Sequence, residues 1–268
     1  KRQALKYMTD IINSGKYDLV DNYAGIFRES GEWSTESIFE INYKDDQATR
    51  NYTDNVFVAG GTVLPTMMGP DGWVDGTDGH NNGWGTFPVR TETYNMYSDE
   101  DTSRDGTCWN AAAAGTYNSR YQDTGFFLEK YTAHTGDNAD CSNDPQVNYN
   151  NNFRIYRFSE TLLNAAELIV RNAGSGDAKE YLNRVRKRAG LTTELEPTVD
   201  NIIEERHLEF VGEGKRYWDL VRTGKASIVL VPDEYGYRTN TWSINKKYLP
   251  IPQSAIDSAQ GSLTQNNY

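Results

Sequence analysis

The sequence predicts a mainly α-helical fold, in which helical hairpins form a platform for a large, irregular, loop-rich excursion with short strands. Three observations carry this prediction. Apolar residues recur at helical spacing near the start of the chain. They do so again, twice over, from residue 151. Between residues 31 and 150 the period dissolves into Gly, Asp, Asn, Thr and aromatic residues.

The first stretch, KRQALKYMTDIINSGKY, sets Leu5, Met8, Ile11 and Ile12 on one face, and Gly15 suits a C-terminal cap. Lys1 already stands inside this pattern, with no initiator Met, signal peptide or N-cap before it. The chain is therefore expected to be the later part of a longer protein. Residues 1–30 are read as an amphipathic helix of the platform, and 31–150 as the excursion. Within the excursion, ESIFEINY (36–43) alternates like a strand, and PVRTETYNMYS (88–98) suits a short helix. From residue 154, RIYRFSETLLNAAELIVRNAG places Ile155, Phe158, Leu162, Ala165, Ala166 and Ile169 on one broad face. Gly174 and Gly176 break it. DAKEYLNRVRKRAGL restarts the period behind Asp177 as N-cap, with Ala178, Tyr181, Leu182, Val185 and Ala189. The pair has the length of one tetratricopeptide repeat, so the platform is expected to be of that kind. A third helix is expected after Asp200. Residues 151–268 make the closing helical region of what is read as one domain overall.

The formal net charge of −11 argues against nucleic acid and anionic lipid as partners, because both demand a basic face. No apolar run approaches the length of a membrane span. Cys108 and Cys141 stand in polar sequence, where a disulfide and two free thiols are both open.

Residues 204–224, EERHLEFVGEGKRYWDLVRTG, concentrate charge around apolar anchors such as Trp218 and Leu220. A phosphate loop fails here, because Glu209 occupies the first glycine position and Arg216 follows the lysine. Glu205, Glu209 and Glu213 share one helix face, whereas catalytic carboxylate pairs usually come from different elements. Cations stand three residues away: Arg206 with Glu209, Glu213 with Arg216, Asp219 with Arg222. The expectation is a scaffold helix laced by surface ion pairs.

This stretch resembles the C-terminal signature of the SusD/RagB family, surface nutrient-binding lipoproteins of Bacteroidetes. YRFSETLLNAAEL (156–168), YLNRVRKRAGL (181–191), YLPIPQSAID (248–257), LTQNNY (263–268) and SGKYDLVDNYAGIF with ESIFEINY (14–43) are similar to further family segments, in the family's order. The tail departs from the usual Gln-Asn-Pro-Gly-Tyr by reading Gln265-Asn266-Asn267-Tyr268. Family members are also longer and begin with a lipidated cysteine. The resemblance implies a platform of tetratricopeptide-like repeats that docks on a SusC-like TonB-dependent outer-membrane transporter. It implies a lipid-anchored, non-enzymatic lid on the extracellular face of the outer membrane that captures oligosaccharides. A RagB-like minority of the family takes peptides.

Sugar rings pack their C–H faces on aromatic rings, and their hydroxyls pair with amides and carboxylates. The stretch 67–94 offers both: Trp73 and Trp84 beside glycines, with Asp71, Asp75, Asp78, His80, Asn81 and Asn82 among them. Trp109, Tyr117, Arg120, Tyr121 and Gln122 are further candidates. Trp33 and Trp242 are read as packing residues, and Arg90 as a ligand donor or a partner of Glu92. Asp71, Asp75 and Asp78 could hold calcium, but their spacing departs from known calcium loops. His80, His134 and His207 are scattered, so no metal and no cofactor are expected. Ser175 lacks a nucleophile-elbow context, and the cysteines lack a basic neighbour. A glycosidase with carboxylates far apart in sequence and a peptide-binding repeat scaffold are the competing readings.

Overall fold

The computed structural model describes residues 1–44, 60–74, 79–102, 104–137, 144–233, 236–238 and 241–267. The chain divides into two compact units, Lys1–Glu213 and Gly214–Tyr268.

The first unit opens with α1 (Arg2–Asn13), followed by β1 (Ser37–Ile41), α2 (Leu64–Met68), β2 (Asp71–Val74) and α3 (Thr91–Tyr94). Then come β3 (Cys108–Asn110), α4 (Ala111–Ala114), β4 (Thr116–Asn118), β5 (Phe126–Leu128) and β6 (Phe153–Arg157). The unit closes with α5 (Phe158–Val170), α6 (Ala178–Arg188) and α7 (Val199–Glu209). The fold is mainly helical and tetratricopeptide-like, as the periodicity predicts.

The apolar stripes explain the helical layer. Leu5, Met8 and Ile12 of α1 close onto Ala165 and Ile169 of α5, where alanine lets the backbones approach. Gly15 takes a φ of +64°, which ends α1 in the left-handed conformation that favours glycine. Phe158, Leu162, Leu163 and Ala166 of α5 pack on Leu182 and Val185 of α6 and on Ile202 of α7. Asp177 caps α6 as expected, its Oδ1 accepting the Glu180 N–H at 2.9 Å. The third helix starts earlier than expected. Thr198 Oγ1 accepts the Asn201 N–H at 3.1 Å, so Asp200 lies inside the first turn.

Among the described residues, three two-stranded antiparallel sheets frame the excursion: β1 with β6, β2 with β4, and β3 with β5. A second core gathers Tyr23, Ile26, Phe27, Met68, Val89, Leu128 and Tyr131. Cys108 belongs to this core, which corrects its polar-loop reading. It is a free, buried thiol, and burial pushes it up to about 12. Cys141 lies outside the described residues.

The surface ion-pair ladder is also corrected. Helix α7 ends at Glu209, and Gly212 turns the chain at a φ of +81°. Glu205, Glu209 and Glu213 are buried, and their partners come from far along the chain. Glu209 accepts from Arg157 at 2.8 Å, from Arg104 at 3.2 Å and from Arg188. Arg157 also holds Glu36 at 2.5 Å and Glu213 at 2.9 Å. Glu205 takes Arg104 at 2.6 Å and Arg186 at 3.0 Å, while Lys130 reaches Glu213 at 2.8 Å. Arg206 turns instead to Glu160 at 3.2 Å and Asn164 at 2.9 Å. With Asp101 on Arg104, this network sets five cations against five carboxylates, so its own formal charges balance. The reason is desolvation: a buried charge costs several kcal/mol unless paired and hydrogen-bonded. Burial alone would raise the Glu209 carboxyl, but Arg188, Arg157, Arg104 and Lys130 outweigh it and hold it at about 2. Burial pulls the Lys130 ammonium down to about 8 despite Glu213.

The second unit contains α8 (Arg216–Arg222), α9 (Ala226–Val229) and α10 (Gln253–Ser258). Here one expected pair does form, Asp219 with Arg222 at 2.7 Å. Leu220 is buried, but Trp218 is 47% exposed and so anchors less than expected. The tail folds back: the Gln265 amide exchanges two 2.9 Å hydrogen bonds with the Ile251 backbone, and Asn266 Nδ2 donates to Leu249 O at 2.8 Å.

Two outcomes follow from the buried charges. Glu209→Ala leaves three guanidinium groups short of a partner and is expected to lower unfolding free energy by about 3–5 kcal/mol in urea titrations. Glu209 sits below its ordinary value of 4.5, so its contribution is complete above that pH and is lost as pH falls towards about 2. Melting temperatures should drop across this window, and Glu209→Gln should flatten the drop.

Candidate functional site

The loops that carry the sequence candidates are locked by backbone pairing. Asn81 N–H donates to Ala133 O at 2.8 Å and Thr135 N–H to Gly79 O at 2.7 Å, which sets His80 opposite His134. Gly83, Trp84 and Gly85 donate in turn to Pro70, Thr66 and Gly69 at 2.8, 2.9 and 2.8 Å. Glycine is required at Gly83, where a Cβ would lie 2.3 Å from Gly69 O. Gly115 is similarly fixed, because a Cβ there would meet the Trp73 ring at 2.6 Å.

Inside this frame runs an aromatic column. Trp73 meets Trp109 edge to face, with ring centres 5.0 Å apart. Trp109 stacks flat on His80 at 3.8 Å, and His80 lies 4.4 Å from His134. Glu129 closes the column. It bonds His80 Nε2 at 2.6 Å, His134 Nε2 at 3.0 Å and the Arg28 guanidinium. Burial would raise the Glu129 carboxyl, but its bonds to His134 and His80 and the nearby Arg28 charge bring it down to about 2.

Several expectations change here. Trp73 is only 7% exposed, so it is a wall rather than a presented platform. The Trp73 and Trp109 indole N–H groups are buried without an acceptor among the described residues. Asn82 Oδ1 is used by the Trp73 N–H at 2.9 Å, and Asn81 Nδ2 by His134 O at 2.8 Å. His80 and His134 are together, not scattered, while His207 lies on α7 beside Glu204. Glu129 and Arg28 were missed, and His134 was weighed only as a metal ligand and set aside, because no spacing in the sequence joins the three to His80. Trp33 was read as packing but is 68% exposed at a φ of +50°. Trp242 is half-buried, and Arg90 pairs with Glu92. Asp75 and Asp78 lie outside the described residues, and with them the calcium set.

The outer side of the column offers polar and aromatic groups to solvent. Asp71 Oδ2 pairs with Arg120 at 2.9 Å and with Asn118 Nδ2 at 3.2 Å. The Arg120 side chain is more than half exposed, and Tyr121 beside it is 85% exposed. Gly85 lies against the Arg120 stem, which brings the half-buried Trp84 into the same neighbourhood. Tyr117 is held from below by Asp123, which accepts its hydroxyl at 3.0 Å. A depression of about 480 Å³ lies elsewhere, lined by Asp18, Asp21, Arg184, Lys187 and Arg188, and it presents no aromatic ring.

The sequence profile described as SusD family matches residues 82–268. The chain belongs to the SusD family. The matched stretch takes in Trp84, Trp109, Arg120, Tyr121 and the amide-pinned tail, while Asp71 and Trp73 precede it. Among solved structures, the chain is similar to surface glycan-binding protein A from Bacteroides thetaiotaomicron in complex with laminarihexaose. Identity is 65% with a TM-score of 0.94, covering 100% of this chain and 59% of that one. A laminarin-binding SusD-like protein matches at 30% identity and a TM-score of 0.77, over 94% of this chain and 54% of that one. Among curated relatives, SusD-like protein P25 of Formosa agariphila is 26% identical over 97% of this chain and 54% of its own length. The chain thus spans about half the length of the SusD-like relative it matches.

Wall and surface should separate on mutation. Trp73→Ala is expected to cost about 3–5 kcal/mol of stability through the cavity it leaves. Tyr121→Ala is expected to change stability by less than about 0.5 kcal/mol. Denaturant titrations of both variants check this.

Proposed function

We propose that this chain is the glycan-binding part of a non-enzymatic surface protein that captures laminarin-type oligosaccharides. The observation that carries the reading is the 65% identical structure solved with laminarihexaose, whose fold this chain follows along its whole length. In this reading the loop-rich region 31–150 holds the ligand. Tyr121 and Trp84 stack on sugar rings, and the Asp71–Arg120–Asn118 set exchanges hydrogen bonds with hydroxyls. Trp73, Trp109 and His80 act behind them, as the rigid wall that fixes the loops. The net charge of −11 favours neutral over anionic glycans.

In this reading the surface is not catalytic; Glu129 beside the aromatic column is held at about 2, so this carboxyl does not suit the protonated general acid that a glycosidase needs. In this reading the protein is a lipoprotein on the outer face of the outer membrane, which membership of the SusD family supports. It would pass its ligand to a SusC-like TonB-dependent transporter.

The test is calorimetric titration with laminarihexaose, a starch-type oligosaccharide, an acidic glycan and mixed peptides, with chromatography for cleavage. Saturable binding of laminarihexaose without hydrolysis is expected. Tyr121→Ala and Arg120→Ala should each weaken it at least tenfold, about 1.4 kcal/mol, with unchanged melting temperature. Binding of peptides alone, or cleavage of any glycan, would overturn the reading.

A further inference from the structure

We propose that His80, Glu129 and His134 form a binding site for a divalent transition-metal ion of the zinc class. The side chains come from two segments, His80 from the stretch before Trp84 and Glu129 and His134 from the stretch after β5, and their donor atoms lie within 4.8 Å of one another. Both imidazoles aim Nε2 at the same carboxylate, His80 at Oε2 from 2.6 Å and His134 at Oε1 from 3.0 Å. Zinc bonds imidazole nitrogen and carboxylate oxygen at about 2.0–2.2 Å, so an ion among the three replaces the shared hydrogen bonds with small side-chain shifts. Each imidazole then carries its proton on Nδ1 and offers the Nε2 lone pair. The carboxylate is already ionised. Two imidazoles with one carboxylate suit zinc, cobalt or nickel, and leave room for water as a further ligand. Calcium is the wrong ion, because it calls for six to eight oxygen ligands.

The surroundings are those of a built site. Trp109 fixes the plane of the His80 ring by stacking at 3.8 Å. The Asn81 amide holds the His134 carbonyl at 2.8 Å, and the His80–His134 bridge sets both backbones. Side-chain exposures of 7% for His80, 16% for Glu129 and 22% for His134 leave the cluster shielded yet reachable. Arg28 contacts Oε1 of Glu129 and donates to Thr132 O at 3.2 Å. It orients the carboxylate and leaves Oε2 towards His80, and its charge moderates the affinity. The ion would tie the segment leading into Trp84 to the end of β5, beside the proposed sugar surface. The site is independent of the glycan reading, because its test needs no glycan.

The experiment is calorimetric titration of the chelator-stripped protein with zinc sulfate, paired with cobalt chloride titration read by visible absorption. One equivalent of zinc should bind, raising the melting temperature. His80→Ala and His134→Ala should each lose at least tenfold in affinity, while His207→Ala should bind as the parent does. Glu129→Gln keeps the shape of the side chain with a poorer ligand, and should weaken zinc with the near-ultraviolet circular dichroism unchanged. Cobalt should give the intense visible bands of low-coordinate geometry in the parent and lose them in His134→Ala. No saturable uptake, or uptake that survives in the His80→Ala/His134→Ala double variant, would overturn the proposal.

Discussion

Glu209 is the constraint on which the rest of the first unit depends. Its carboxylate is out of water and in contact with Arg104 from the excursion, Arg157 at the end of β6 and Arg188 at the end of α6. Its backbone carbonyl takes Tyr23 at 2.6 Å and Lys130 at 2.9 Å. One residue therefore joins the helical layer to the loops it carries. Apolar packing alone would allow those loops several seatings. A buried ion network allows few, since each misplaced charge loses its partner in a low-dielectric interior. The hypothesis that follows is that the network serves specificity of arrangement more than net stability.

That arrangement packs the described stretches of the polar, glycine-rich loops into a continuous wall. The second core sets Leu128 and Tyr131 around Lys130, and the aromatic column continues from there through His134, His80, Trp109 and Trp73. Backbone pairing at Gly83, Trp84 and Gly85 then seats the surface residues on the wall. A binding surface positioned this way loses little freedom when a ligand arrives, which preserves affinity that flexible loops would spend on ordering.

The helices were legible because apolar spacing is local information. Phe158, Leu162 and Leu182 announce their buried faces within a few residues of sequence, and Asp177 announces a cap. The β1 strand and the short α3 helix were visible for the same reason. The buried charges were not: Glu205 and Glu209 look like surface residues until the cations that neutralise them arrive from Arg104 and Arg157. The site was half legible. Trp73, Trp109 and His80 were singled out as aromatic and polar groups in loops, but the groups that pack on them, Phe127 on the tryptophans and Glu129 and His134 on His80, are joined to them by no period in the sequence. Trp33 misled in the other direction, since an aromatic residue alone does not reveal that its backbone turns it outward.

In the proposed function, ligand is held on the loop surface around Asp71, Trp84, Arg120 and Tyr121, outside a wall fixed by buried charge. Backbone hydrogen exchange with and without laminarihexaose tests it most directly. Added protection is expected only in residues 69–74, 83–87 and 116–122, with the helical layer unchanged. Protection centred instead on the charged depression around Asp18, Arg184 and Lys187 would contradict it.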